Sequence, residues 1–314
     1  MNLKNFFRKA WKLISCTFKA FSEDRAMKMS ASLAYYTIFS LAPLLIMIIS
    51  ITSLIYGQDT NQKIFQEING FVGSDAAFQI QSTIQKVSRS GHSTTAAIIG
   101  AITLFLGSTG VFIQIQDSIN SIWRVRAKPK KGWQRLILNR LISFSMVLGL
   151  GFLLIVSLII NGLVIALSDK LSHYFPDVTI LLVNVFNVLI TFIIISVLFA
   201  IIFKFLPDAE IEWKVVAIGA ITTALLFMLG RFLIGLYINK VGPGSAYGAA
   251  GSIIVILTWV YYSAAILFFG AEFTQVYAEQ NGYKIKPSAY AVYIIQKEEE
   301  QEVDVLPSKH EEEK

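Results

Sequence analysis

The chain has 314 residues and a formal net charge of +6, with 54% apolar and 15% charged residues, far fewer charges than the roughly one quarter of a soluble domain. Four stretches, 29–58, 141–168, 178–203 and 241–271, hold no charged residue at all, and each exceeds the ~20 residues that cross a bilayer, which excludes a purely soluble protein. The single cysteine, Cys16, excludes an intramolecular disulfide.

Residues 2–21 carry Leu3, Phe6, Phe7, Trp11, Ile14 and Phe18 at helical spacing, with Lys4, Arg8, Lys12 and Lys19 on the opposite side. A basic and an aromatic face predict an amphipathic helix lying on a membrane surface; a helix packed on the protein's own loops is the alternative. No signal peptide is expected, because 1–30 lacks a continuous apolar core. The first span is predicted over 31–56, kinked at Pro43. Segment 57–93 reads as two short amphipathic helices in an outer loop, broken at Gly73-Ser74. The second span, 94–115, is rich in small residues including Gly107, which let helices approach closely. Further spans are expected at 136–167, 179–205, 213–238 and 252–271. The fold class is therefore all-α, a six-helix transmembrane domain over 31–272. It lies between a cytoplasmic segment 1–30 and a tail 273–314 that is acidic and disordered from 297.

Of the 27 lysines and arginines, 21 fall in segments on one side of these spans and five on the other, with Arg231 left inside span five. The basic side faces the cytoplasm, so both termini are placed there. Removing 297–314 raises the formal charge to +11, from 24 basic and 13 acidic residues. These basic residues flank apolar spans, so the partner they fit is anionic lipid, and no nucleic acid is expected. Trp123, Trp133 and Trp213 fall at the predicted cytoplasmic interface, as aromatic belts do.

Catalytic chemistry needs convergent groups, and none is legible. His92, His173 and His310 are scattered, no metal-ligand spacing occurs, and no phosphate-binding glycine loop is present. Neither a metal nor another cofactor is expected. Polar residues inside spans are the sharper signal, since they are costly there. Arg231 either snorkels to the outer headgroups or faces a polar cavity. Glu272, at the cytoplasmic end of span six, lies roughly 25 Å from it in depth at ~1.5 Å per residue. It is either a helix-end charge or a partner of Arg124 or Arg126. Gln114, Gln116, Asp117 and Asn120 close span two. Asn161, Asn184 and Asn187 suit interhelical hydrogen bonds or a cavity wall. Gly244, Gly248 and Ser252, four apart, form one smooth ridge for tight packing; alternatively this glycine-rich stretch, with Tyr247, is an irregular entry lining a cavity. Tyr261 and Tyr262 need partners for their hydroxyls in mid-span, which points them at protein or a cavity.

The stretch 213–278, WKVVAIGAITTALLFMLGRFLIGLYINKVGPGSAYGAAGSIIVILTWVYYSAAILFFGAEFTQVYA, closely resembles the YihY/BrkB family of bacterial inner-membrane proteins. ASLAYYTIFSLAPLL, SINSIWRV and FLPDAEIEW match its other blocks in order. The resemblance implies six transmembrane helices in the inner membrane. It also brings an old ribonuclease BN label that this sequence, lacking a metal cluster, does not support. In span five the family pattern often places a glutamate three residues before a lysine; here those positions are Met228 and Arg231, so the intrahelical acid is missing. Two functions are expected from this reading. One is transport or flipping of a lipid-like amphiphile or anion. The other is a non-transporting, envelope-organising role with membrane lipids, a protein partner or a second copy.

Overall fold

The computed structural model describes residues 3–40, 110–128, 176–241 and 251–295. Segment 57–93, the third span, Pro43, Gly107, Asn161, Gly244, Tyr247, Gly248 and the tail from 297 lie outside them, as do the side chains of Asn184, Asn187 and Ser252.

The described chain is mostly helical. Helix α1 is Leu3–Glu23; after a two-residue turn, residues 26–40 form helix α2, and 110–122 form α3. Three long apolar helices follow: α4, Pro176–Phe205; α5, Trp213–Val241; and α6, Gly251–Gln280. Each contains a run long and apolar enough to cross a membrane: Val188–Phe205, Trp213–Ile234 and Ile256–Gln280.

The ends of these helices follow from local chemistry. Pro176 opens α4, where a missing N–H costs nothing, and Pro207 forbids its continuation. The Glu212 carbonyl caps α5, accepting from the Val215 and Val216 amides at 3.0 and 3.1 Å. At the end of α6, Gly282 takes a φ of 75°. There the Tyr283 amide reaches the Ala278 carbonyl at 2.9 Å and the Gly282 amide reaches that of Glu279 at 3.3 Å, a Schellman closure. Helix α6 thus continues two turns past the predicted end of span six, and Glu272 lies within it.

Burial divides the helices by position. Only 17% of the Val188–Phe205 run is buried within the protein, against 44% of Ile256–Gln280, so α6 is central and α4 peripheral. On α5 the exposed residues Ile221, Leu225, Leu229, Phe232 and Leu236 form one stripe, far more apolar surface than a soluble protein leaves open. Its opposite side meets α6 through a reciprocal contact. An added Cβ at Gly219 would lie 3.0 Å from Thr274 Cβ, and one at Gly270 would lie 2.9 Å from Thr223 Cβ. Each threonine hydroxyl donates to a carbonyl of its own helix, Thr223 to Gly219 at 2.7 Å and Thr274 to Gly270 at 2.6 Å. Glycine is needed at both points because the helices touch there.

Two short antiparallel ribbons go beyond the all-α expectation. Strand β1 (Val125–Ala127) pairs with β4 (Ala291–Tyr293), and β2 (Ala209–Glu210) pairs with β3 (Lys286–Pro287). They fasten the segments after α3, α4 and α6 to one another at one end of the helices. The core beneath them is apolar, with Ile119, Phe203, Leu206, Val215 and Phe268 almost fully buried.

Candidate functional site

Two groups of buried polar residues lie at this ribbon end. Asp208, in the loop after α4, is 2% exposed. Its carboxylate accepts from Gln116 Nε2 at 3.1 Å and Asn120 Nδ2 at 2.8 Å, while its amide donates to Asn120 Oδ1 at 2.8 Å. Gln116 and Asn120 are one helical turn apart, so α3 presents both on one face. Asp117, on another face, is exposed. The Ser288 amide donates to the Asp208 carbonyl at 3.0 Å. Asp208 therefore ties α3 to the loop after α4 through its carboxylate and the β3–β4 segment to that loop through its backbone carbonyl.

A second acidic group lies at the same end of the helices. Asp24, in the turn between α1 and α2, accepts a hydrogen-bonded ion pair from Arg124 Nη2. Burial raises the Asp24 carboxyl above the ordinary aspartate range, against the pull of the Arg124 guanidinium. Glu272 of α6 joins this pair: it is 1% exposed, and its side chain is in hydrogen-bonding reach of Asp24. Among the described residues, its Oε1 has no hydrogen-bond partner. Arg25 and Arg124, each next to this cluster, take left-handed φ values of 54° and 55°, a conformation that costs a non-glycine residue about 1 kcal/mol.

Trp123 does not face outward. It is 2% exposed, and its indole N–H donates to the Ala271 carbonyl at 3.1 Å. That bond joins the end of α3 to α6 immediately before Glu272. Trp213 is exposed, with Phe205 edge-on to its ring and Lys204 Nζ over its face at 5.5 Å.

The described residues line two recesses, of which the polar one reaches these clusters through Asn120 and Arg124. A polar one of about 290 Å³ is lined by Asp117, Asn120, Ser121, Arg124, Arg126 and Ile294, among others. An apolar one of about 230 Å³ lies at span level between α2, α3, α4, α5 and α6, with Leu33, Ile115, Phe199, Phe227 and Leu267 in its wall. Thr37 and Ser263 also line it, but their surroundings there are almost wholly hydrocarbon.

The remaining sequence candidates are dispersed. Arg231 is exposed on α5 between the outward-facing Leu229 and Phe232. Gln114 donates to Ser118 Oγ at 3.2 Å within α3. Tyr261 and Tyr262 are half-buried, and the Tyr262 ring crosses α5 so closely that a Cβ at Gly230 would lie 2.5 Å from it. Asp24 and Asp208 were not legible as site residues. Their only signal is that Asp208 falls inside the FLPDAEIEW block. Among the described residues no group of three His, Cys, Asp or Glu side chains could hold a metal ion.

Comparison with known proteins agrees with a membrane architecture. A membrane protein of Tolumonas auensis, named UPF0761, is 26% identical over 87% of this chain and 84% of its own length. One of Vibrio vulnificus is 23% identical over 84% of this chain and 81% of its own. One of Stenotrophomonas maltophilia is 26% identical over 80% of this chain but only 57% of its own length. No solved structure matches. Residues 17–292 match the family described as Virulence factor BrkB. With that match spanning most of the chain, from α1 to β4, this membrane protein belongs to the BrkB family.

Proposed function

We propose that the protein moves a lipid-like amphiphile across the bacterial inner membrane, with both termini in the cytoplasm. The observation that carries this reading is the apolar recess of about 230 Å³ walled by five helices. A solid helical bundle has no use for such a space, whereas an acyl or isoprenoid chain fits its lining. A polar recess containing Arg124 and Arg126 at the same end of the helices offers a resting place for a headgroup. The orientation rests on the basic residues, 21 on the proposed cytoplasmic side against five opposite. Arg231, exposed beside the lipid-facing stripe, suits an outer headgroup phosphate reached by its long stem.

The test is lipid flipping in vesicles containing the purified protein, followed with a headgroup- or chain-labelled phospholipid and an impermeant quencher. Ser263→Leu, which fills the recess, should slow flipping at least about tenfold while the protein still elutes as a folded species. Flipping at the unaltered rate would sink the recess as the path. No flipping by the unsubstituted protein would favour the envelope-organising reading. That alternative draws its support from α1, whose Trp11, Ile14 and Phe18 are exposed alongside Arg8, Lys9, Lys12 and Lys19.

A further inference from the structure

Glu272 is an anomaly that neither recess explains. A carboxylate in a protein interior has to be paired and hydrogen-bonded, because leaving it unpaired costs several kcal/mol. Here two carboxyls, Asp24 and Glu272, share one arginine. Arg124 is engaged with Asp24, and Glu272 Oε1 has no donor among the described residues. The nearby Trp123 indole N–H is already bound to the Ala271 carbonyl. Glu23 beside Asp24 and Glu279 two turns along α6 add negative charge to the pair. Arg25, next to Asp24 in the turn, is exposed to solvent. From α5, Lys214 stands exposed at the helix start over the Tyr283 ring. Like charges this close cannot both persist.

We propose that Asp24 and Glu272 form a binding site for one exchangeable proton, held between their carboxyls with Arg124 balancing the remaining charge. The proton makes one carboxyl a donor, which turns a repulsive contact into a hydrogen bond and leaves one negative charge for one arginine. Access is through the polar recess, since Arg124 lines it. Leu267, in the wall of the apolar recess, is five residues before Glu272, about 7.5 Å along the helix at 1.5 Å per residue. Binding and release at Glu272 therefore act on the helix that forms that wall. Use of this proton to drive amphiphile movement rests on the transport reading; the site itself does not.

The test is infrared spectroscopy of the full-length protein in lipid nanodiscs without added amphiphile, titrated from about pH 5 to about pH 10. A carboxylic-acid C=O band that downshifts in D2O should be present at the acid end and lost at the alkaline end. It should be missing in Glu272→Gln, and Asp24→Asn should move its midpoint by at least about one pH unit. A band that persists unchanged in Glu272→Gln, or no such band in the unsubstituted protein, would overturn the proposal. A band that disappears on adding sodium at constant pH would also overturn it, assigning the site to a metal cation. Should Glu272→Gln fail to fold, Glu272→Asp serves instead: a displaced band supports the site and an unmoved one rejects it. Because no amphiphile is present, this result and the flipping result fail independently.

Discussion

Asp208 is a buried carboxylate whose partners on α3 are two amides, and its position explains why the ribbon end of the molecule holds together. Replacing it with alanine leaves the Gln116 and Asn120 amides buried without an acceptor, each worth roughly 1–3 kcal/mol. Asp208→Ala should therefore lower stability by about 3 kcal/mol, read as a fall in the thermal midpoint of the purified protein in detergent. An unchanged midpoint would mean that water replaces the carboxylate without loss. The two amides could be placed on one face of a helix from their four-residue spacing. Their partner could not, because it lies 88 and 92 residues away and nothing in local periodicity points to it. Trp123 shows the same limit. An indole before a basic run resembles an interfacial anchor until a carbonyl from α6, 148 residues away, takes its N–H.

At the scale of elements, the α5–α6 crossing is the contact most sensitive to one methyl group. The glycine–threonine pairs Gly219–Thr274 and Gly270–Thr223 bring the backbones close without a polar group left open. Gly219→Ala should cost about 1–3 kcal/mol by overpacking, measured as a lowered midpoint. Thr274→Ala in the same chain should recover part of that loss. If the double variant is no better than Gly219→Ala alone, the clash is not with Thr274. The existence of α4, α5 and α6 was legible from their long apolar runs, even with Arg231 inside that of α5. Their exact ends were less so, because the Schellman closure at Gly282 lies beyond the apolar window that marks span six. The β-ribbons were not legible at all. Two- and three-residue strands carry no alternation, and their pairing depends on loops brought together by the helices.

For the whole molecule, the decisive feature is an apolar surface that water would not tolerate. The α5 stripe of Ile221, Leu225, Leu229, Phe232 and Leu236 is exposed, so an apolar medium, lipid or another apolar protein surface, has to cover it. Leu225→Lys should therefore disfavour insertion of this helix by about 2.5–3.5 kcal/mol. On a soluble surface the same change would be near neutral. An insertion assay with a glycosylation reporter flanking α5 distinguishes the two, and unchanged insertion would argue that another protein surface covers this stripe.

Composition and charge distribution by themselves determined that this chain is a helical membrane protein. Hydrophobicity over some twenty consecutive residues is a local property, and it needs no tertiary context to act. The lysine and arginine bias is equally local. What only the tertiary structure decided is which polar residues meet. Asp24, Arg124 and Glu272 come from three separate segments, and Asp208, Gln116 and Asn120 from two. Burial then gives these groups their chemistry, because a carboxyl in water needs no partner while one in the interior must find a donor, a cation or a proton.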